Sequence, residues 1–583
     1  MRQTRAVVLN REVEVGKAIA RAKVGELKPQ YPIEGVAYRS AEYARTQVDL
    51  GNWLDIAIGD SLRRAARATP DKVAVIDPDG SVRFAELDAE SESVAASLLE
   101  SGLKPGDRAL FQIGTSKDYL TAFFGCMKAG VVPVCTLPQY RLSEMRHFGD
   151  ITSAKAIFVQ ADVNPRFDQT GFALELAEAL PKLQHVIVVR GEHENASSLE
   201  HMATAFSTDR ARARTVNIAP GILDVAVFQL SGGSTSLPKI IPRMHGEYLG
   251  ATRHLSERYG LTSDDVTLWS LPLIHNAGTL FAVLPVSLHG RTLVLQQRVD
   301  IPEMLTLVER HKVTFSGSIG PIAAKLLELQ NLGQYNVRSL RQFFSLTRAE
   351  AVEAHVGIPV GQMFGMTEGM VFAAAPTASA AIRHHTVGHP VSRGDEVRLL
   401  TPGEETEVAF GEIGELCFRG PSTLTAYFAD AAATAASFTS DGFFRSGDLM
   451  RAHRMDGLIC YSFEGRIKDN INRGGEKIGA EEVEGLIGQH PDIADCRVVA
   501  MPDPFYGEKA CAYLIPHAGR NAPTVTELGE FLIKLGVAKY KIPERIETID
   551  AFPLTKVGKA DKVKLREMIA AQVAKESASE ATR

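Results

Sequence analysis

Cysteine is scarce in this chain: Cys126, Cys135, Cys417, Cys460, Cys496 and Cys511 are the only six in 583 residues, and none forms a C-x-x-C pair. This excludes a disulfide framework and a cysteine-based zinc site, and suits buried thiols in a reducing compartment. An excess of charge of one sign is also lacking. With 64 Lys+Arg against 70 Asp+Glu the formal charge is −6, which argues against nucleic acid as the main partner. Long apolar runs are missing from the N-terminus, where Arg5 and Arg11 bracket a very short one. Neither a signal peptide nor a membrane span fits there, so no membrane is expected as a partner and the cytoplasm is the default location. No internal repeat or low-complexity tract interrupts the chain, and the phosphate-loop spacing G-x-x-x-x-G-K-[ST] is absent.

What is present is ordinary globular material, 45% hydrophobic and 23% charged, in a chain too long for one core. Residues 1 to about 50 read as an extension with a leading helix. From Asp71 onward β-rich runs alternate with helical spacing. Val73–Ile76, Arg108–Gln112, Ala156–Val159 and His185–Val189 are expected strands, and Tyr119–Lys128 is an expected helix. That alternation predicts an α/β fold with largely parallel sheets. The polar stretch Glu192–Pro220 reads as a surface connection. After the Gly-, Arg- and Asn-rich segment Gly465–Gly475, a small α+β unit is expected: helix Ala480–Ile487, strands Cys496–Ala500 and Ala510–Ile515, helix Thr526–Leu535.

The most informative segment is Ser231-Gly-Gly-Ser-Thr-Ser-Leu-Pro-Lys239, which follows the apolar run Val225–Leu230. A strand entering such a loop gathers backbone N–H groups, hydroxyls and one ammonium in a small volume, as a polyphosphate cradle requires. Alone, such a loop is more often an ordinary surface turn. Five further segments follow it in order: Pro272–Gly278 with His275 and Asn276, Phe364-Gly-Met-Thr-Glu-Gly369, Arg445-Ser-Gly-Asp-Leu449, Gly465–Lys477, and Pro553-Leu-Thr-Lys-Val-Gly-Lys559. Together they resemble the adenylate-forming enzymes: acyl- and aryl-CoA synthetases, adenylation domains and firefly luciferase. Within that superfamily, Ile240–His245, His275-Asn276 and Ile471–Ile478 look most like the branch that adenylates 2,3-dihydroxybenzoate or salicylate.

The resemblance implies a large N-terminal domain of two mainly parallel α/β sheets plus a smaller β-barrel, over 51–467. It also implies a small mobile α+β domain over 468–583. ATP and Mg²⁺ are implied, with coenzyme A as thiol acceptor and a small carboxylic acid as substrate. A carrier protein is the alternative acceptor, and a homologue that has lost catalysis is the alternative of another class. Attack of a carboxylate on the α-phosphorus depends on positioning and charge neutralisation. By resemblance, Ser231, Gly232, Gly233, Ser234, Thr235 and Lys239 hold phosphates; Gly365, Met366 and Thr367 flank the nucleotide; and Glu368 binds the metal. Thr367 and Glu368 would equally suit a helix N-cap. Asp448 and Arg466 serve the ribose, Gly475 the second orientation, Lys468 the hinge, and Lys559 the developing charge. His275, Asn276 and Phe281 line the acid pocket.

Two departures from the family pattern stand out. Phe281 takes the place of a common serine, which removes a donor and disfavours a fully catecholic acid. The glycine-rich adenine turn reads Ser345-Leu-Thr-Arg348, where Ser and Leu would be costly in left-handed backbone.

Overall fold

The computed structural model describes residues 27–581, apart from 232–237, 319–321, 347, 470, 474–475, 504–505, 536, 538 and 556–557. Two large sheets form the body. The first has seven strands in the order Ser197–Ser198, His185–Val189, Ala156–Gln160, Arg108–Gln112, Val132–Val134, Val225–Leu230, Ile240–Met244. All its pairings are parallel except the last, where Leu230 lies opposite Ile240. The second has nine strands, with a parallel centre that runs Val360–Gly365, Gln342–Ser345, Phe315–Ser318, Val266–Trp269, Thr292–Leu295, Val73–Asp77. Several of these strands, His185–Val189 and Thr292–Leu295 among them, read as near-continuous apolar runs, as strands buried on both faces do. Val225–Leu230, for instance, is buried at every position.

The expected strands Arg108–Gln112 and His185–Val189 form with those bounds, and the expected helix at Tyr119–Lys128 runs over Lys117–Ala129. That helix carries Lys128 into the core, 2.6 Å from Asp88 and 3.3 Å from Glu92 on the long helix Phe84–Glu100. Removing one partner of such a buried pair costs about 3–5 kcal/mol, so the pair fixes how the two helices meet. The leading helix is Ala41–Asp49, capped by Ser40 Oγ. Residues 192–220 are more than a connection: helices Leu199–Thr204 and Thr208–Thr215 bury Leu199, Met202, Ala211 and Thr215. Their short apolar faces are too sparse for a periodic signal, and they fold because Phe84–Glu100 lies beneath them.

The smaller β unit is a four-stranded antiparallel sheet in chain order: Glu396–Leu400, Ile413–Arg419, Phe444–Met455, Leu458–Arg466. A 3₁₀ turn, Ile467–Asp469, leads from it into the C-terminal unit. There the long hairpin Ile493–Asp503 and Gly507–Pro516 is joined by Arg545–Thr548, and helices Ala480–Ile487 and Val525–Lys534 pack on it around Ile471, Val483, Val498 and Leu528. The expected helices match these bounds to one residue, and the expected strands Cys496–Ala500 and Ala510–Ile515 are the centres of the longer ones. All six cysteines are buried and unbridged. Among the described residues no helix is long and apolar enough to cross a membrane.

Candidate active site

Strands of both large sheets deliver their carboxyl ends to one cleft of about 870 Å³. Val225–Leu230 leads into Ser231, Val266–Trp269 into the segment that carries His275, Gln342–Ser345 into Leu346, and Val360–Gly365 into Met366. Ligand sites of open α/β sheets lie at such strand ends.

Residues 232–237, with Gly232, Gly233, Ser234 and Thr235, lie outside the described residues. The ends of that loop are nonetheless tied together. Ser231 N donates to the Lys239 carbonyl at 2.9 Å, and Lys239 N donates to Ser231 Oγ at 2.9 Å. The Lys239 ammonium lies 4.4 Å from the centroid of the Tyr427 ring and faces the cleft.

Gly365 ends its strand, and Met366–Met370 makes a tight turn closed by Met366 N to the Met370 carbonyl at 3.0 Å. No helix begins here, so the N-cap reading of Thr367 and Glu368 is overturned: the next element is the strand Val371–Ala373. Gly369 has φ +123°, and a Cβ there would lie 1.8 Å from the Ser422 carbonyl oxygen, so only glycine fits. The buried Arg243 holds the turn from behind. Its Nη1 donates to the Thr367 carbonyl at 2.8 Å, while Glu247 pairs with its other edge at 2.6 Å. Glu368 is 9% exposed, its carbonyl accepts from Leu424 N, and its Oε1 accepts from the Tyr427 hydroxyl at 3.1 Å. Burial pushes its carboxyl above the usual range, against the opposing hydrogen bond from Tyr427 and the charges of Lys239 and Arg243.

Asp448 and Arg466 are cross-strand partners, with Arg466 Nε 3.1 Å from Asp448 Oδ1. Gly447, at φ +70°, makes the bend before Asp448. Burial raises the Asp448 carboxyl to about 6, and Arg466 offsets part of the rise. Lys559 lines the same cleft from the C-terminal unit, on a tight turn where Gly558 has φ +79° and Thr555 N donates to the Lys559 carbonyl at 2.7 Å. Lys468 lies within the 3₁₀ turn, and Gly475 lies outside the described residues.

His275, Asn276 and Phe281 line the cleft together. His275 Nδ1 accepts from Ala277 N at 3.3 Å, which leaves the proton on Nε2. Burial, reinforced by the Lys559 charge, lowers this imidazole to about 4, so it is neutral near pH 7. Asn276 is 7% exposed, and its Oδ1 accepts from the Tyr248 hydroxyl at 2.7 Å. Phe281 sits in a π-helical turn, Thr279–Val283, stacked on Phe344 with centroids 4.9 Å apart and on Trp269 at 6.1 Å.

The turn at Ser345–Arg348 answers the sequence expectation differently from the way it was posed. Among the described residues of this turn the left-handed one is Arg348, at φ +58°, and not Ser345 or Leu346. Leu346 lines the cleft, and Arg348 Nη2 donates to the Ala494 carbonyl of the C-terminal unit at 3.0 Å. Tyr427 lines the cleft, and Arg243 and Tyr248 hold residues that do; sequence reading missed all three. The segment Ile240–His245 carried a family signal that pointed toward Arg243; nothing local marks Tyr427, which sits 59 positions from its partner.

The profile of the AMP-binding enzyme family matches residues 62–428, and that of the AMP-binding enzyme C-terminal domain matches residues 482–559. The chain belongs to the AMP-binding enzyme family. This AMP-binding enzyme is an adenylate-forming ligase, and its relatives match nearly end to end. It is 36% identical to the 2,3-dihydroxybenzoate-AMP ligase of Bacillus subtilis (strain 168), over 91% of this chain and 96% of that one. It is 34% identical to a salicylyl-CoA synthase / salicylate adenylyltransferase of a Streptomyces species, over 92% and 98% of the two chains. Among solved structures, apo MbtA of Mycobacterium smegmatis superposes with a TM-score of 0.69 at 32% identity, covering 91% of this chain and 98% of that one.

Proposed function

We propose that this enzyme uses ATP to activate an aryl carboxylic acid and then passes the acyl group to a thiol. In the first step a carboxylate oxygen attacks the α-phosphorus, the bond to the β-phosphate bridge breaks, and pyrophosphate leaves with its electrons. In the second a thiol attacks the acyl carbon, the bond to AMP breaks, and the thiol proton is released. The observation that carries the reading is the convergence of Glu368, Asp448, Lys239 and Lys559 on one cleft whose far side is apolar and aromatic. The charged half suits a nucleotide; the half formed by Trp269, Leu280, Phe281 and Leu346 suits a planar ring.

Lys559 meets the charge that develops between carboxylate and phosphate. Asp448 accepts from the ribose hydroxyls with Arg466 beside it. The loop after Ser231, with Gly232, Gly233, Ser234, Thr235 and Lys239, holds the terminal phosphates. Glu368 suits magnesium as a single hard ligand sharing the ion with phosphate oxygens and water. One feature supports that fit: Tyr427 holds one oxygen of the buried carboxylate in place. Magnesium there would neutralise phosphate charge. Asn276 reads a polar edge of the acid beside His275, and Phe281 closes the far wall. Lys468 is the hinge between units 51–467 and 468–583, the second of which turns to bring Gly475 toward the thiol.

Coenzyme A and a phosphopantetheinyl carrier protein end in the same thiol. The salicylyl-CoA synthase relative supports coenzyme A, and the 2,3-dihydroxybenzoate-AMP ligase relative supports the adenylating step alone. We take coenzyme A as the first reading and the carrier as the second. The test is thioester formation from a panel of aromatic acids with free coenzyme A and with carrier proteins. Product with coenzyme A at substrate-limited rates upholds the first reading; product with carriers only replaces it by the second.

A further inference from the structure

The Asn276 amide is held by a buried relay that runs across three elements. Gln229, on strand Val225–Leu230, is 1% exposed, and its Nε2 donates to Thr279 Oγ1 and to the Tyr248 hydroxyl, each at 3.2 Å. Tyr248, on helix His245–Arg258, is fully buried and donates to Asn276 Oδ1 at 2.7 Å.

The direction of the relay follows from its far end. The Thr279 hydroxyl lies 3.3 Å from the carbonyls of Leu273 and His275, which can only accept, so its one proton goes there. Its oxygen then takes a donor, and Gln229 must turn Nε2 toward it and not Oε1. The second hydrogen of that same NH₂ group reaches Tyr248. The phenol therefore receives one hydrogen bond and gives its own proton to Asn276. Burial keeps the phenol protonated well beyond its ordinary range, so the proton is always there to give. Asn276 must answer with Oδ1, which leaves its Nδ2 donors for the cleft. Without this constraint an amide turns over readily, because its oxygen and nitrogen ends are nearly alike in shape.

We propose that Tyr248 and Gln229 are positioning residues that lock Asn276 as a hydrogen-bond donor, so the pocket selects an aryl acid whose ortho substituent accepts a hydrogen bond over one whose ortho substituent mainly donates. The inference rests on the aryl-acid reading above. A phenol or phenolate oxygen meets the fixed NH₂ group; an aryl amine, whose lone pair is drawn into the ring, leaves donor facing donor.

Tyr248→Phe is the clean perturbation. It deletes the phenol proton and keeps the ring, which lies 4.8 Å from the guanidinium carbon of Arg243, so the hold on the Thr367 carbonyl stays. The measurement is kcat/KM for 2-hydroxybenzoate and for 2-aminobenzoate in acid-dependent ATP–pyrophosphate exchange. The wild type should favour the hydroxy acid. In Tyr248→Phe the hydroxy-to-amino ratio should fall about threefold to tenfold, as for one hydrogen bond gained or lost, and the change should sit in KM for the acid. A general loss of packing would lower both acids alike; an unchanged ratio therefore overturns the inference. Should Tyr248→Phe fail to fold, the wild-type ratio decides: equal use of the two acids, or preference for the amino acid, overturns it. Brisk exchange with a flat ratio defeats the relay alone, whereas no exchange with any ring acid defeats the aryl-acid reading and the relay together.

Discussion

Tyr427→Phe separates metal positioning from the rest of the cleft. The phenol of Tyr427 donates to Glu368 Oε1 at 3.1 Å in a buried setting, while its ring faces the Lys239 ammonium at 4.4 Å. Replacement by Phe keeps the ring beneath the cation and removes only the donor. A hydrogen bond to a charged group contributes about 1.5–3 kcal/mol, and the lower figure applies because the cleft readmits water to the carboxylate. That corresponds to about a tenfold rise in the magnesium concentration for half-maximal pyrophosphate exchange. The pH profile supplies an independent sign. Burial already pushes the Glu368 carboxyl upward, and the hydrogen bond from Tyr427 opposes that rise by stabilising the charged form. Its removal raises the carboxyl further, so the acidic limb of the activity profile should move to higher pH. The assay is acid-dependent exchange across a magnesium series at several pH values, for wild type and Tyr427→Phe. An unchanged magnesium requirement with an unmoved acidic limb would refute the assignment of Glu368 to the metal.

Three further outcomes follow from the same cleft. Burial pushes the Asp448 carboxyl up to about 6, so below that pH it loses its charge and its capacity as a double acceptor; KM for ATP should climb as pH falls through this value, and Asp448→Asn should show no such climb. Lys468→Pro fixes φ near −65° within the 3₁₀ turn Ile467–Asp469; adenylate formation should survive and thioester formation fall sharply, and equal slowing of both steps would remove Lys468 from the hinge. Phe281→Ser should move preference toward 2,3-dihydroxybenzoate by about threefold to tenfold through one recovered hydrogen bond; because Phe281 stacks on Phe344 and Trp269, the variant should also lose about 3–5 kcal/mol of stability, and an unchanged ranking of ring acids would remove Phe281 from the pocket wall.

Much of the fold was legible because its signals are local. The run His185–Val189 is apolar and β-branched after its first residue, and Arg108–Gln112 has an apolar centre, as suits central parallel strands. The helix at Ala480 follows a glycine and repeats its apolar residues at helical spacing, so its bounds could be read directly. The site was legible in its motifs and illegible in its supports. Arg243 reaches the Thr367 carbonyl across 124 positions, and Tyr248 reaches Asn276 across 28. No window of sequence reports such pairings, because they exist only once two strands and a helix have converged. The Thr367-Glu368 pair misled in one respect: its residue types suit a helix cap, but the strand Val371–Ala373 pairs back on Val360–Gly365 and claims the backbone. At Arg348 the left-handed backbone falls on a residue with a Cβ, and its guanidinium contact with Ala494 lies in a unit almost 150 positions away.

The most direct test of the central claim follows Lys559→Ala through both half-reactions with an aromatic acid. Wild type should catalyse ATP–pyrophosphate exchange that depends on the acid. In Lys559→Ala that exchange should fall by about 10²–10³, as for removal of one group that stabilises developing charge, while thioester formation from presynthesised aryl-AMP continues. Exchange that no ring acid supports, or a variant slowed equally in both halves, would contradict the account.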